Sequence, residues 1–378
     1  MEYKNEPAFI NREEEINSLK TWIEERPKNI LFLFGPKSSG KTTLLYKFVE
    51  NNLNNTKKYL LKFINLREVF IANYDHFLQY FFTLEERDKK YEFKETKLTR
   101  FYDVPLFKVT AETHKRLKEK RLDPFYVMKK EFQKIRAKDI KPVIIIDELQ
   151  ALEHIYFNSQ RELIKELLNF FVAMTKESHL CHVILASSDG YFIEKLYNDS
   201  KLRKTSELFE VDYLPKDDIV YWLNNLKKES NIDDYKLSDS QIEYIWDHFG
   251  GSIWEVSNLL GKLIPVSCDG KIDANDLFTI TDNYMIEARS FFVHFAGLKE
   301  YKRNLLVKIS EIIDKGFFEE VELKALVNNE HYTEDSLREE LNSMVQQNYL
   351  YYNPKKSKYK MQGKSMEIGL KLYVKKNN

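Results

Sequence analysis

The stretch Leu31–Leu45, LFLFGPKSSGKTTLL, decides how the rest of the chain is read. An apolar run enters Gly35-Pro36-Lys37-Ser38-Ser39-Gly40-Lys41-Thr42, and an apolar helical pattern begins directly behind it. Strand, glycine-bounded loop and helix in that order are the setting of a phosphate-binding P-loop. The loop's backbone N–H groups turn inward on a phosphate chain, and the helix adds the positive end of its dipole. A nucleoside triphosphate is the expected ligand. Lys41 is placed to reach the β- and γ-phosphates, and Thr42 to offer its hydroxyl to Mg2+. Thr43 extends the loop without being needed for either role.

Downstream, KPVIIIDELQAL places four apolar β-branched residues, Val143 to Ile146, ahead of Asp147 and Glu148. Such a run reads as a strand buried on both faces. An acid at the C-terminal end of a parallel strand shares an edge with the P-loop, so Asp147 is the expected Mg2+ partner. Glu148 is expected to orient and polarise the attacking water. After a helical pattern over SQRELIKELLNFFVAMTKE comes another buried strand, CHVILASSD, predicted to lie between the other two. Its end offers Ser188, with Ser187 second, as a hydroxyl for the γ-phosphate or the water. Arg203 precedes a last strand, LFEVDYL, and is the candidate arginine finger toward its own or a neighbouring nucleotide.

The segment FINREEE before the P-loop leads into a helix over 9–23, with Asn11 as N-cap. It suggests that Phe9 and Ile10 lie against the base and that Arg12 braces the turn. YLLKFIN (59–65) reads as a further strand, and 126–138 as a helix covering the sheet. The densely charged LEERDKKYEFKETKLTR sits within an insertion placed at about 81–120 and carries no assigned chemistry. Beyond Pro215 the alternation stops. Ser238 with Gln241 and Ser252 with Glu255 read as capping boxes on two helices separated by Gly250-Gly251. The chain thus divides into a core over 1–212, a helical lid over 213–288 and a last domain over 289–378. The last reads helix, short helix, helix and hairpin, the pattern of a winged helix. Its third helix carries Glu334, Asp335, Glu339 and Glu340 against the single Arg338, the wrong sign for phosphates. Lysines crowd the wing and tail instead.

Composition excludes several classes. Lys plus Arg number 59 and Asp plus Glu 59, so no global field draws the chain to nucleic acid or membrane. The two cysteines, Cys181 and Cys268, form no metal or disulfide pattern. The opening MEYKNEPAFI lacks a basic region followed by an apolar core, and no apolar run approaches a bilayer's thickness. A cytoplasmic protein that does not enter membranes is expected. No NKxD motif is present, which argues against a GTPase. A metabolic kinase would hardly need a winged helix.

In their order, FINREEE, GPKSSGKTT, VIIIDELQAL, VILASSD, an arginine before the last strand, a Gly-Gly lid and a winged helix resemble the archaeal ATPase family. That family belongs to the STAND-type NTPases within the AAA+ class. The resemblance implies an α/β fold, an AAA+-like parallel sheet with helical lid and C-terminal winged helix. It also implies ATP with Mg2+, slow hydrolysis and self-association. GGSIWEV departs from the pattern, with Ile253 in place of proline and no arginine, which counts against direct contact between lid and nucleotide. Two readings follow: an ATP-dependent switch whose winged helix engages an unidentified protein partner, or a DNA-binding ATPase similar to origin-recognition and helicase-loader proteins. Charge favours the first, with at most weak contact to nucleic acid.

Overall fold

The computed structural model describes residues 4–84 apart from 7 and 55, and residues 107–157, 161–199, 202–327 and 331–377. Its centre is a five-stranded sheet of β1 (Ile30–Phe34), β2 (Tyr59–Asn65), β3 (Lys141–Asp147), β4 (His182–Ser187) and β5 (Ser206–Glu210), in the order β2-β3-β4-β1-β5. All four ladders are parallel. The expected place of β4 between the P-loop strand and the acidic strand is therefore the observed one. Along β1 the side chains alternate between two buried clusters, as a period of two requires. Ile30, Phe32 and Phe34 join the face with Phe132 and Phe171, while Leu31 and Leu33 join the face with Leu19, Leu44 and Phe48. Buried on both faces, the sheet can meet solvent only at its edges and strand ends.

The charged stretch beginning at Glu85 lies outside the described residues. Its flanks are ordered parts of the core. Phe82–Leu84 pairs with Phe107–Val109, and Phe77, Phe81, Phe82 and Phe107 are buried in the main cluster. The helix expected at 126–138 spans Pro124–Arg136, capped by the Asp123 carboxylate on the Phe125 N–H.

The lid helices Lys216–Asn224, Asp239–Phe249 and Ile253–Leu263 enclose their own core around Trp222 and Phe249, which also takes in Ala8 and Ile10 from the start of the chain. The Ser238–Gln241 capping box is present. The second expected box is not: Ser252 makes no side-chain cap, and Glu255 accepts instead from the Ser365 hydroxyl. The chain expected to pass from lid to last domain near 288 is helical there. Ala274–Ala296 is one unbroken helix that places Leu277 and Met285 in the lid core and Phe292 and Phe295 in the next.

The C-terminal domain follows as Glu300–Ile312, Glu320–Lys324, Glu334–Gln346 and a hairpin of β6 (Leu350–Asn353) and β7 (Lys358–Met361). The lysine-rich tail is a helix, Lys364–Asn377, packed along Ala274–Ala296. The wing turns inward. Tyr351, 1% exposed, joins the core of the five-stranded sheet, Tyr352 donates to Glu194 (2.7 Å), and Asn353 donates to Glu210 (2.6 Å).

Candidate nucleotide site

The C-terminal ends of β1, β3 and β4 meet at one edge, the position where open parallel sheets bind ligands. Gly40, in a left-handed conformation (φ 88°), is the N-cap of helix Lys41–Asn52. A side chain there would be strained, and the bare backbone leaves the loop's N–H groups open to a phosphate. Lys41 is buried, and its Nζ donates to the carbonyls of Gly35 (3.0 Å) and Pro36 (2.7 Å). Burial brings this ammonium down to about 8 against the opposing pull of Asp147 and Glu148. A triphosphate would raise it again by replacing two neutral acceptors with anionic oxygens.

Thr42 Oγ1 donates to Asp147 Oδ2 at 2.6 Å, and Asp147 Oδ1 accepts the Glu148 N–H at 2.9 Å. Hydroxyl and carboxylate thus converge beside the loop. That donor set fits Mg2+, a hard cation that takes few protein oxygens and completes its shell with phosphate and water. Among the described residues no group of three or more His, Cys, Asp or Glu is placed to hold a metal ion.

Glu148 adopts a left-handed backbone (φ 60°), a conformation that costs a non-glycine residue about 1–2 kcal/mol. Its side chain is over-determined: Oε1 pairs with Arg67 at 2.6 Å and Oε2 accepts from Gln150 at 2.5 Å. Gln150 in turn accepts from Ser187 Oγ (2.7 Å). Ser187 is committed to that bond, whereas Ser188 lines the cavity.

The cavity has a volume of about 570 Å3. From the loop it takes Lys37, Ser38, Gly40, Lys41, Thr42 and Thr43, and from the sheet edge Arg67, Glu148 and Ser188. The lid contributes Ser252 to Glu255 and Ser257, despite its missing arginine, and the C-terminal domain contributes Asn348, Gln362 and Met366. Gly35, Pro36 and Ser39 stand behind this surface. The first two hold Lys41, and Ser39 gives its carbonyl to Arg12.

Phe9, Ile10 and Arg203, expected at the nucleotide, fall elsewhere. Ile10 is buried in the lid core and Phe9 packs against the sheet's other face, because both are apolar and close to the cover of those cores. Neither lines the cavity. Arg12, 6% exposed, is the residue expected to brace the turn, and its guanidinium donates to the carbonyls of Ser39 (2.9 Å) and Asp212 (2.8 Å), tying the loop to the joint before the lid. Arg203 is exposed and held by Asn198 Oδ1 (2.6 Å). It precedes Ser206, which pairs with Ile30 at the end of the sheet away from the loop. A five-residue strand is about 17 Å long, so a contact with the nucleotide of its own chain is excluded by direction and distance.

Arg67, Gln150, Tyr213 and the lid and C-terminal lining are not foreseen by the sequence reading. Arg67 carried a usable signal, since it lies two residues past the C-terminal end of β2 on the same edge as the loop. Tyr213, whose hydroxyl donates to the Lys37 carbonyl at 3.0 Å, carried none.

This loop, its acidic partner and the parallel sheet between them define a P-loop nucleotide-binding protein with AAA+-like architecture. A family model described as an ATPase domain predominantly from Archaea matches residues 9–259. An uncharacterized ATP-binding protein of Methanocaldococcus jannaschii is 30% identical, over 94% of this chain and 96% of its own. Another from that organism is 34% identical over 85% and 87%. Two solved structures share the fold, and the fold alone: the Walker-type ATPase of Pyrococcus abyssi (TM-score 0.62, 16% identity, 96% of each chain) and the ORC2 protein of Aeropyrum pernix (0.54, 11%, 98% of this chain and 96% of that one). The chain belongs to the archaeal ATPase family and is an ATP-binding member of it.

Proposed function

We propose that the protein is an ATP-driven switch that binds Mg2+-ATP, hydrolyses it slowly and reports the nucleotide's state through its C-terminal domain to a protein partner. The carrying observation is that one cavity is bounded by loop, lid and winged helix together. An occupant touches all three and therefore biases how they sit on one another. In the chemical step Glu148 orients and polarises the attacking water and accepts its proton, each carboxylate oxygen keeping a lone pair beyond its bond to Arg67 or Gln150. Lys41 holds the β- and γ-phosphates, and Ser188 hydrogen-bonds the γ-phosphate or the water. Thr42 and Asp147 would hold Mg2+, which would neutralise charge on the phosphates. The reducing cytoplasm is the fitting compartment, and no helix among the described residues is long and apolar enough to cross a membrane.

The experiment follows the wing. Lys360 lies at its base, side chain 17% exposed and paired with Asp212 at 2.9 Å. A Cβ on Gly190 would stand 1.9 Å from the Tyr352 carbonyl oxygen, so Gly190→Ala pushes the hairpin off the core by steric overlap. Tryptic cleavage at Lys360 is expected to differ between ATP- and ADP-loaded wild type, and to be fast in Gly190→Ala with either nucleotide. Identical protection of the wild type in all nucleotide states would reject the switch.

A weaker second reading keeps nucleic acid, carried by Lys355 and Lys356, which stay exposed at the hairpin turn. Several of the other charges are paired: Arg338 makes two bonds to Glu320, Lys358 pairs with Glu319, and Lys371 with Asp314. Two phosphate contacts give a slope of log affinity against log salt of about −2. That slope, or no binding, is the expected result of a duplex titration of the full chain across a salt series. Tight, sequence-selective binding weakened by Arg338→Ala would move the DNA-binding reading to first place.

A further inference from the structure

We propose that Trp254 is the platform on which the nucleotide's purine base stacks, an inference that rests on the ATP reading and extends it to base recognition by the lid. Trp254 is 60% exposed although it lines the cavity. Each of the chain's other tryptophans has an internal role. Trp222 is buried and donates to Ser230 (2.8 Å), Trp22 meets His182 edge-on and donates to Asn29 (3.3 Å), and Trp246 packs on the lid core. An indole left in water at the rim of a ligand cavity retains a large apolar face that only an occupant can cover.

Its position suits a base rather than a phosphate. Trp254 stands in the first turn of the lid helix Ile253–Leu263, beside Ile253, whose Cδ1 is 3.2 Å from the point a Gly40 Cβ would occupy. The start of the lid helix is therefore packed against the loop itself. Phosphates held by the loop's N–H groups and Lys41 direct the nucleoside outward past Thr43, toward this helix. Ser257, three residues on and hence on the same helical face, also lines the cavity, its hydroxyl turned to Asn5 Oδ1 at 3.5 Å. Phe9 and Ile10, the other apolar candidates for this role, are committed to the protein's own cores. Stacking accepts any purine, because every base has a π face. Base selection by this route is accordingly broad.

The test uses the full-length chain with Mg2+ and two ligands, ATP and inorganic tripolyphosphate, which shares the phosphates and lacks the nucleoside. Trp254→Ala is expected to weaken ATP roughly tenfold, about 1.4 kcal/mol. Its tripolyphosphate affinity should match the wild type, and Trp254→Phe should regain most of the ATP affinity. Quenching of tryptophan fluorescence should accompany ATP, vanish in Trp254→Phe and be absent with tripolyphosphate. Unchanged ATP affinity in Trp254→Ala, or equal loss for both ligands, would overturn the platform while leaving the ATP reading intact. A wild-type chain that bound neither ligand would overturn both.

Discussion

In the Glu148→Gln protein, ATP binding is expected to persist while steady-state hydrolysis falls by about 10²- to 10⁴-fold, the usual weight of a positioned general base. The amide keeps the shape of the side chain and its bond partners near Arg67 and Gln150, but it cannot accept a proton from water. The phosphate cradle is built from the loop's own backbone and Lys41, which the substitution leaves untouched. Lys41→Ala acts at the other end of the same site, removing the cation whose Nζ already sits between the Gly35 and Pro36 carbonyls. Loss of binding is expected there, read by calorimetry at the concentrations that saturate Glu148→Gln. A drop in affinity shared equally by the two variants would contradict these separate roles, because a base acting on water contributes to the transition state and a phosphate-holding cation to the bound state as well.

A second large effect is expected at Arg203, and its size depends on a second copy of the chain. Its position at the far end of the sheet leaves a neighbouring molecule's nucleotide as the one triphosphate it can meet. Specific activity should then rise with protein concentration, and Arg203→Ala should lower turnover by roughly 10³-fold at concentrations where the wild type is fully active. Affinity for ATP should stay as it was, since the guanidinium touches nothing in its own cavity. Turnover independent of concentration in a monodisperse monomer, with Arg203→Ala as active as the wild type, would leave Arg203 a surface residue bonded to Asn198.

The expected site segments that the structure brings to one edge share a local cause. Gly35 to Thr42 and Val143 to Asp147 each join a loop to a buried parallel strand, and the direction of parallel strands alone brings both to one edge. The misread residues have in common that a distant segment claims them. Ile10 fell to the lid core, Glu255 to Ser365 rather than to its own helix cap, and the wing to Glu194, Glu210 and Asp212. Hydrophobic pattern marks a residue as buried without naming the core that buries it. Charge counting likewise treated the wing lysines as free, although Lys360 is drawn inward by a carboxylate 148 positions away.

By itself, then, the sequence determined the nucleotide-binding edge, because a phosphate cradle is built from backbone geometry and strand direction that act over a few residues. Only the tertiary structure decided what closes over that edge. The lid's Trp254 and the C-terminal Asn348, Gln362 and Met366 reach the cavity through the Ala274–Ala296 helix and the packing of the wing, whose placement depends on the shape and burial of whole surfaces. No short run of residues carries that information, since each of those side chains gains its role from a partner that the chain meets only after it has folded.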